Sequence, residues 1–278
     1  YFTTGQGAGL STKDDQVRRI RSVFAVHLKR TALELKSSEL QLSIDKHGAK
    51  VSAARAAGYL TPVLHWAKRR DLVIGDFNLE KPLQNAPRQK VLTEVELAAL
   101  LPTFKSHHGV CAKFMLLTGA RITETTAATW SQIDLEAMTW TIPPENLKDT
   151  RALQARRHKP KQALAIPLSR QAIQLLTDTR EAETERRQLN GLQEEIRKQD
   201  LLFVGPRGSK LGNWDRWLKA TTATTGITGW SAHALRRTTA TLAGDLGAPP
   251  HIVSVILGHS NVGGQLVAGY NHSTYGFE

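Results

Sequence analysis

The sequence predicts a mainly α-helical protein with a small antiparallel β-sheet or hairpin, built in two parts. A helical domain covers residues 1–90 and a mixed α+β domain covers residues 91–278. Three observations predict this. Apolar residues recur at helical spacing through most of the chain. Two stretches, Thr139 to Pro143 (TWTIP) and Ala163 to Leu168 (ALAIPL), instead alternate as strands do. Asp76 to Lys90 (DFNLEKPLQNAPRQK) is polar, turn-rich and proline-containing, so it reads as a linker that starts at about residue 76.

In the first domain, residues 1–12 are rich in Gly, Ser and Thr and read as a loosely ordered entry. Val17, Ile20, Val23, Phe24 and His27 then share one helical stripe, with Arg18, Arg19, Arg21 and Lys29 around it. Leu40, Leu42 and Ile44 alternate, so a strand competes there. Helix is preferred because Lys46-His47-Gly48 supplies a stop. Val51 to Arg70 predicts a long helix whose apolar face holds Ala54, Ala57, Leu60, Val63, Leu64 and Trp66. Gly58 and Pro62 weaken its middle and leave a kink or break open. Lys68-Arg69-Arg70 closes it, which suits the helix C-terminal dipole and equally suits phosphates.

The second domain opens at Thr93, which with Glu96 predicts a capping box for a helix through Leu101. Val110 to Leu117 predicts a core helix that Thr118-Gly119-Ala120 breaks, and a further helix runs from Arg121 to about Thr129. Arg121 has two readings. It is a surface side chain paired with Glu124, or a buried guanidinium aimed at a phosphate. The two strands flank a basic stretch, Glu145 to Gln162, with Lys148, Arg151, Arg156, Arg157, Lys159 and Lys161. A β-hairpin with a long basic tip in contact with DNA is favoured over an idle loop. Residues 169–199 read as helical, Leu201 to Val204 as a short buried strand and Trp214 to Thr221 as a short helix.

The stretch Ser231 to Tyr275 concentrates chemistry. Ser231 predicts an N-cap for a helix that Gly247 ends; Pro249-Pro250 opens the next helix and Gly258 ends it. His233 and Arg236 are three apart and share a helix face, and His259 falls just past the second helix. Two imidazoles, a guanidinium and a phenol in one segment suit an anionic phosphate and a tyrosine nucleophile.

Composition agrees. The chain holds 37 Lys+Arg against 25 Asp+Glu, a net charge of +12, which favours a polyanionic partner, most often nucleic acid. Residues 1–91 carry 16 Lys+Arg against 8 Asp+Glu, so the helical part holds most of the excess and fits a grip on the DNA backbone. Lys50, Arg55, Lys68, Arg69 and Arg70, with Arg156, Arg157, Lys159 and Lys161 of the hairpin, are the candidate DNA contacts. The single Cys111 excludes an intrachain disulfide framework and argues against a cysteine zinc site. No run of eighteen apolar residues and no signal peptide is present, so no membrane partner and a cytoplasmic location are expected. The chain begins at Tyr1 rather than Met, which is expected of a piece of a longer or processed protein.

LTGARITE (117–124), a lysine in a hairpin before IPLS (166–169), HALRRT (233–238), LGHS (257–260) and a downstream tyrosine, in that order, resemble the phage integrase, or tyrosine recombinase, family. Each motif alone is weak; together, at this spacing, they are specific. The resemblance spans the second domain. The first domain, with its late helix ending AKRRDLVIGDFNLEKP, is similar to the family's core-site DNA-binding domain. The resemblance assigns Arg121 as the first catalytic arginine, His233 and Arg236 as the His-x-x-Arg pair, His259 as the second histidine and Tyr270 as the nucleophile, with Tyr275 as the competing phenol. Lys148 matches the hairpin lysine if the long insertion follows it; Lys159 and Lys161 stay open. Relatives often continue past the tyrosine into a helix that docks on a neighbouring protomer, whereas this chain ends eight residues after Tyr270.

The resemblance implies site-specific recombination of bacterial or phage DNA through a 3′-phosphotyrosyl intermediate. It also implies self-association into a tetramer on double-stranded DNA carrying core recombination sites. No cofactor and no metal are expected, because two arginines and a lysine supply the positive charge and no Asp/Glu cluster accompanies the motif. Competing readings are a type IB topoisomerase-like nicking-closing enzyme and a catalytically degenerate DNA-binding regulator. A metal hydrolase using His107, His108, His233 and His259 ranks last, for want of carboxylate partners.

Overall fold

The computed structural model describes residues 1–82, 90–147, 162–191, 195–205 and 208–258, apart from Thr4, Gln6, Gly9 and Ser11. The chain divides into two compact units, Tyr1–Pro87 and Arg88–Glu278.

The first unit is helical: α1 (Lys13–Val23), α2 (Ser37–Lys46) and α3 (Lys50–Lys68). Alanines let α3 approach its neighbours closely, and Ala53, Ala56 and Ala57 are buried with Val23, Phe24, Leu40, Ile44 and Leu64. Leu40 and Ile44 lie four apart on the buried face of α2 while Leu42 between them is exposed. The helical reading of that stretch therefore holds. α3 is continuous through Gly58 and Pro62. The proline ring presses on the carbonyl four residues back; that residue is Gly58, which brings no side chain to the crowded turn.

The stretch read as a linker from residue 76 begins as a packed arm. Phe77 and Leu79 are buried in the same core as Val73. The Gln41 side chain clasps Glu80, its Oε1 accepting from Glu80 N at 2.9 Å. The apolar positions 77 and 79 alternate as in an extended chain, a signal masked by the polar residues around them.

In the second unit, α4 (Glu94–Leu100) starts with the expected reciprocal cap: Thr93 Oγ1 accepts from Glu96 N, and Glu96 Oε2 from Thr93 N. A 3₁₀ turn, Leu101–Thr103, follows. α5 (His107–Thr118) buries apolar residues on two faces and lies between two cores. Cys111 and Phe114 join Trp140, Ile142, Ile166, Leu176 and Phe203. Ala112 and Met115 join Leu100, Phe104, Trp230, Ala234 and Leu235.

α6 is a single turn, Ile122–Thr125, not a helix to residue 129. Its chain leaves the helical path because Ala128 accepts from Leu202 N at 2.9 Å and Thr129 bridges Leu201. Among the described residues the sheet has three antiparallel strands in the order β1 (Ile133–Asp134), β2 (Thr139–Ile142) and β3 (Leu164–Pro167). β2 and β3 are the two strands expected; β1 is added to their hairpin. Trp140 faces Ile166 across it.

α7 (Arg170–Leu189) stops short of residue 199, at Asn190-Gly191, where Gly191 takes φ 71°. Leu201 to Val204 forms isolated bridges rather than a strand, although Leu202 and Phe203 are buried as expected. α8 (Trp214–Thr225) outruns the expected end at Thr221 until Gly226 stops it at φ 70°. α9 (Ala232–Asp245) is capped by Ser231, whose Oγ accepts from Ala234 N. α10 (Pro250–Ile256) begins at the expected proline.

Candidate active site

Three breaks in the helical ladder build the site. α5 ends at Gly119, whose φ of 66° is left-handed. A Cβ there would also stand 2.9 Å from Leu257 Cδ2 and 3.3 Å from Thr239 Cγ2. The left-handed backbone calls for glycine, and any side chain there would also displace the Leu257 methyl. Two residues later Arg121 caps α6. The third break is Gly258, at φ 60° after α10.

Arg121 and Glu124 form a tight pair. Arg121 Nη1 donates to Glu124 Oε1 at 2.7 Å, and the Arg121 backbone N donates to Oε2 at 2.8 Å. The carboxylate is buried (1% exposed), whereas the Arg121 side chain keeps 24% exposure. The two sequence readings of Arg121 thus combine. Its partner is Glu124, but the carboxylate lies beneath the surface and holds the guanidinium at the rim of the site.

Arg236 lies on α9 and is buried. Its Nη1 donates to the Gly119 carbonyl at 2.7 Å and its Nη2 to the Leu257 carbonyl. Burial first and the nearby Arg121 charge second push its pKa down to about 10, with Glu124 opposing both. The guanidinium therefore stays charged at neutral pH. Two cations beside one buried carboxylate leave the corner with a net positive charge, which a phosphate would complete. His233 stands exposed in the first turn of the same helix, one turn before Arg236.

Thr239 ties α9 to α5 by donating to the Leu116 carbonyl at 2.6 Å. Thr238 accepts from Leu92 N at 2.9 Å. Sequence reasoning missed the Gly119 and Leu257 carbonyls, because backbone acceptors carry no residue signature. It weighed Glu124 only as a surface partner; a carboxylate three residues after Arg121, the N3 position of a capping box, was the available signal.

The structure thus brings Arg121 and Arg236 together, with His233 on the Arg236 helix. Lys148, Arg156, Arg157, Lys159, Lys161, His259, Tyr270 and Tyr275 lie outside the described residues. In the first unit, Lys50, Arg55, Lys68, Arg69 and Arg70 are all exposed on α3 or just beyond it. Lys50 donates to the Asp45 carbonyl, Lys68 pairs with Asp76, and the Arg70 guanidinium lies 4.4 Å from the Trp66 ring centre. Among the described residues no three His, Cys, Asp or Glu side chains are grouped to hold a metal, and no helix is long and apolar enough to cross a membrane. His108 is engaged elsewhere, with Nε2 2.6 Å from the Gly212 carbonyl and its ring against Trp214.

Comparison with known proteins gives a consistent result. The model of the phage integrase family matches residues 90–276. The putative protein IntB of Escherichia coli strain K12 is 27% identical over 203 residues, covering 68% of this chain and 48% of IntB. The chain thus spans about half the length of that curated relative. The fold is similar to the Tn1549 transposon integrase in complex with circular intermediate DNA (TM-score 0.68, 17% identity, 97% of this chain and 92% of that chain). It is equally similar to a lambda integrase dimer bound to a COC′ core site (TM-score 0.68, 13% identity, 100% and 94%). Because the family match covers nearly the whole unit that holds Arg121 and Arg236, the chain belongs to the phage integrase family.

Proposed function

We propose that the protein is a site-specific DNA recombinase that cuts and rejoins strands through a 3′-phosphotyrosyl intermediate. The observation that carries this is the paired, charged guanidiniums of Arg121 and Arg236 at one corner of the second unit, each with a fixed protein partner. In this reading the Tyr270 phenolate attacks the scissile phosphorus in line, and the P–O5′ bond breaks. The two arginines bind the non-bridging oxygens as negative charge builds there. A phenol, with a pKa of about 10, is a weak nucleophile at neutral pH, so cations around it and proton acceptance by His233 or His259 favour attack. The departing 5′-oxygen takes a proton from Lys148, with Lys159 and Lys161 as the alternatives. Attack of a 5′-hydroxyl on the phosphotyrosine reverses the step, so rejoining needs no external energy source.

The exposed cations of α3 support a role for the first unit in gripping the core-site DNA backbone, and the basic stretch between β2 and β3 adds contacts. A tetramer on two DNA sites in the cytoplasm is the working assembly. A lambda integrase of similar fold is described as a tetramer bound to a Holliday junction (TM-score 0.67, 15% identity).

The test is covalent capture. A pool of nicked duplexes with randomised cores is incubated with the protein, resolved on a denaturing gel, and the attached DNA is sequenced. The expected result is a protein–DNA adduct of one core sequence that Tyr270→Phe abolishes and Tyr275→Phe leaves. An adduct lost in Tyr275→Phe instead overturns the nucleophile, and wild-type protein that binds the DNA without any adduct overturns the enzyme. Relaxation of supercoiled plasmid without the selected core would mark a nicking-closing enzyme instead.

A further inference from the structure

The corner made by Leu257 and Gly258 touches each fixed part of the arginine pair. The Leu257 carbonyl is one acceptor of Arg236, and the Leu257 side chain covers Gly119, whose carbonyl is the other. A Cβ built on Gly258 would stand 3.9 Å from Arg121 Nη1 and 2.7 Å from Leu164 Cδ2. Leu164 belongs to neither arginine's helix. It opens β3, pairs with Ile142 of β2 and packs against the core around Trp140. The strand that follows the basic stretch therefore bears directly on the corner that accepts from Arg236 and lies beside Arg121.

We propose that Leu164 is a positioning residue for the reaction: its side chain holds the Leu257–Gly258 corner against Arg121 and Arg236, so that strand β3 and the arginine pair are set as one piece. The two positions are complementary in size. Leu164 Cδ2 occupies the space that any side chain at 258 would enter, and the half-buried Leu164 side chain packs against the core behind it. Truncating Leu164 opens a gap against Gly258, and the corner can then shift its carbonyl relative to Arg236. Enlarging Gly258 pushes the corner off β3 with the same consequence.

The proposal rests on the recombinase reading for its catalytic arm alone, so the experiment has two independent readouts on the full chain. The first is solvent exchange of the Arg236 guanidinium protons, followed by NMR on arginine-labelled protein. The second is single-turnover adduct formation on the captured duplex, with DNA affinity measured separately. Leu164→Ala, Gly258→Ala, their double variant and Ile166→Ala are compared. Ile166 is a buried neighbour on the same strand and controls for a purely structural loss. Gly258→Ala is expected to speed exchange and slow adduct formation about a hundredfold, as small displacements of positioned groups do. Adding Leu164→Ala recovers part of both, since the clash is gone while the left-handed strain on alanine remains. Leu164→Ala alone slows adduct formation at unchanged DNA affinity, and Ile166→Ala lowers the melting temperature without changing Arg236 exchange. A double variant as impaired as the product of its singles overturns the proposal, as does equal Arg236 exchange in Leu164→Ala and Ile166→Ala. If Leu164→Ala does not fold, Leu164→Val takes its place under the same criteria. If the wild type forms no adduct on any duplex, the recombinase reading fails while the exchange data still decide the role of Leu164.

Discussion

Replacing Arg236 by lysine turns a cation that keeps its charge at working pH into one that titrates at about pH 8. Burial and the Arg121 charge bring the Arg236 guanidinium down to about 10, still well above neutral pH. The same surroundings acting on an ammonium, ordinarily about 10.4, bring a lysine there to about 8. In Arg236→Lys, adduct formation relative to wild type is then constant below about pH 8 and falls about tenfold per pH unit above it, as the cation that binds the phosphate is lost. Wild-type protein keeps this charge through the same range. The stability sign follows from proton counting. The lysine's folded pKa lies below its unfolded one, so the unfolded chain holds more protons between about pH 8 and 10.4 and stability rises with pH there. The rise is about 3 kcal/mol, which is the cost of burying the charged ammonium below pH 8. Single-turnover rates over about pH 6–9.5 and urea melts over about pH 7–10.5 measure the two effects. A pH–rate profile parallel to wild type, with stability flat over the same range, refutes the reasoning, because it means the corner does not desolvate the cation.

Glu124→Gln keeps the shape of the buried side chain but removes the charge that holds Arg121. A hydrogen bond to a charged group contributes about 1.5–3 kcal/mol, so urea melts should show a loss near the middle of that range and adduct formation should slow more than DNA binding weakens. An unchanged urea midpoint and unchanged adduct rate would show that the pair is held by other contacts. Thr93→Ala removes one half of the reciprocal cap on α4 and should cost about 1 kcal/mol in the same melts while leaving single-turnover chemistry as in wild type.

Much of the fold was legible because it rests on local rules. Thr93 and Glu96 announce a cap, Ser231 announces another, and Gly119 and Gly258 end helices where left-handed backbone is needed. The misreadings occur where a distant partner decides. The helix after Arg121 ends early because residues 128 and 129 pair with 201 and 202, more than seventy positions along the chain. The stretch from Asp76 looks like a linker because only Phe77 and Leu79 betray the core they enter. The arginines at the site were readable as residue types, but their positions are fixed by main-chain oxygens of Gly119 and Leu257. No side-chain pattern encodes those, so a sequence motif identifies the cations without revealing what holds them still.

The contacts that fix Arg236 also govern when, during synthesis, the arginine pair can be completed. Its two carbonyl partners lie 117 residues before it and 21 after it. The second core closes only when α9 and Trp230 reach α5. A ribosome that has released everything up to α8 has produced a chain whose Gly119 corner has no guanidinium to receive. One paused before residue 257 has produced a guanidinium with a single acceptor. Chains fold from the N-terminus as they emerge, so the first unit is complete long before the arginine pair of the second is. Under the proposed function, a nascent or prematurely terminated chain would then occupy DNA without being able to break it.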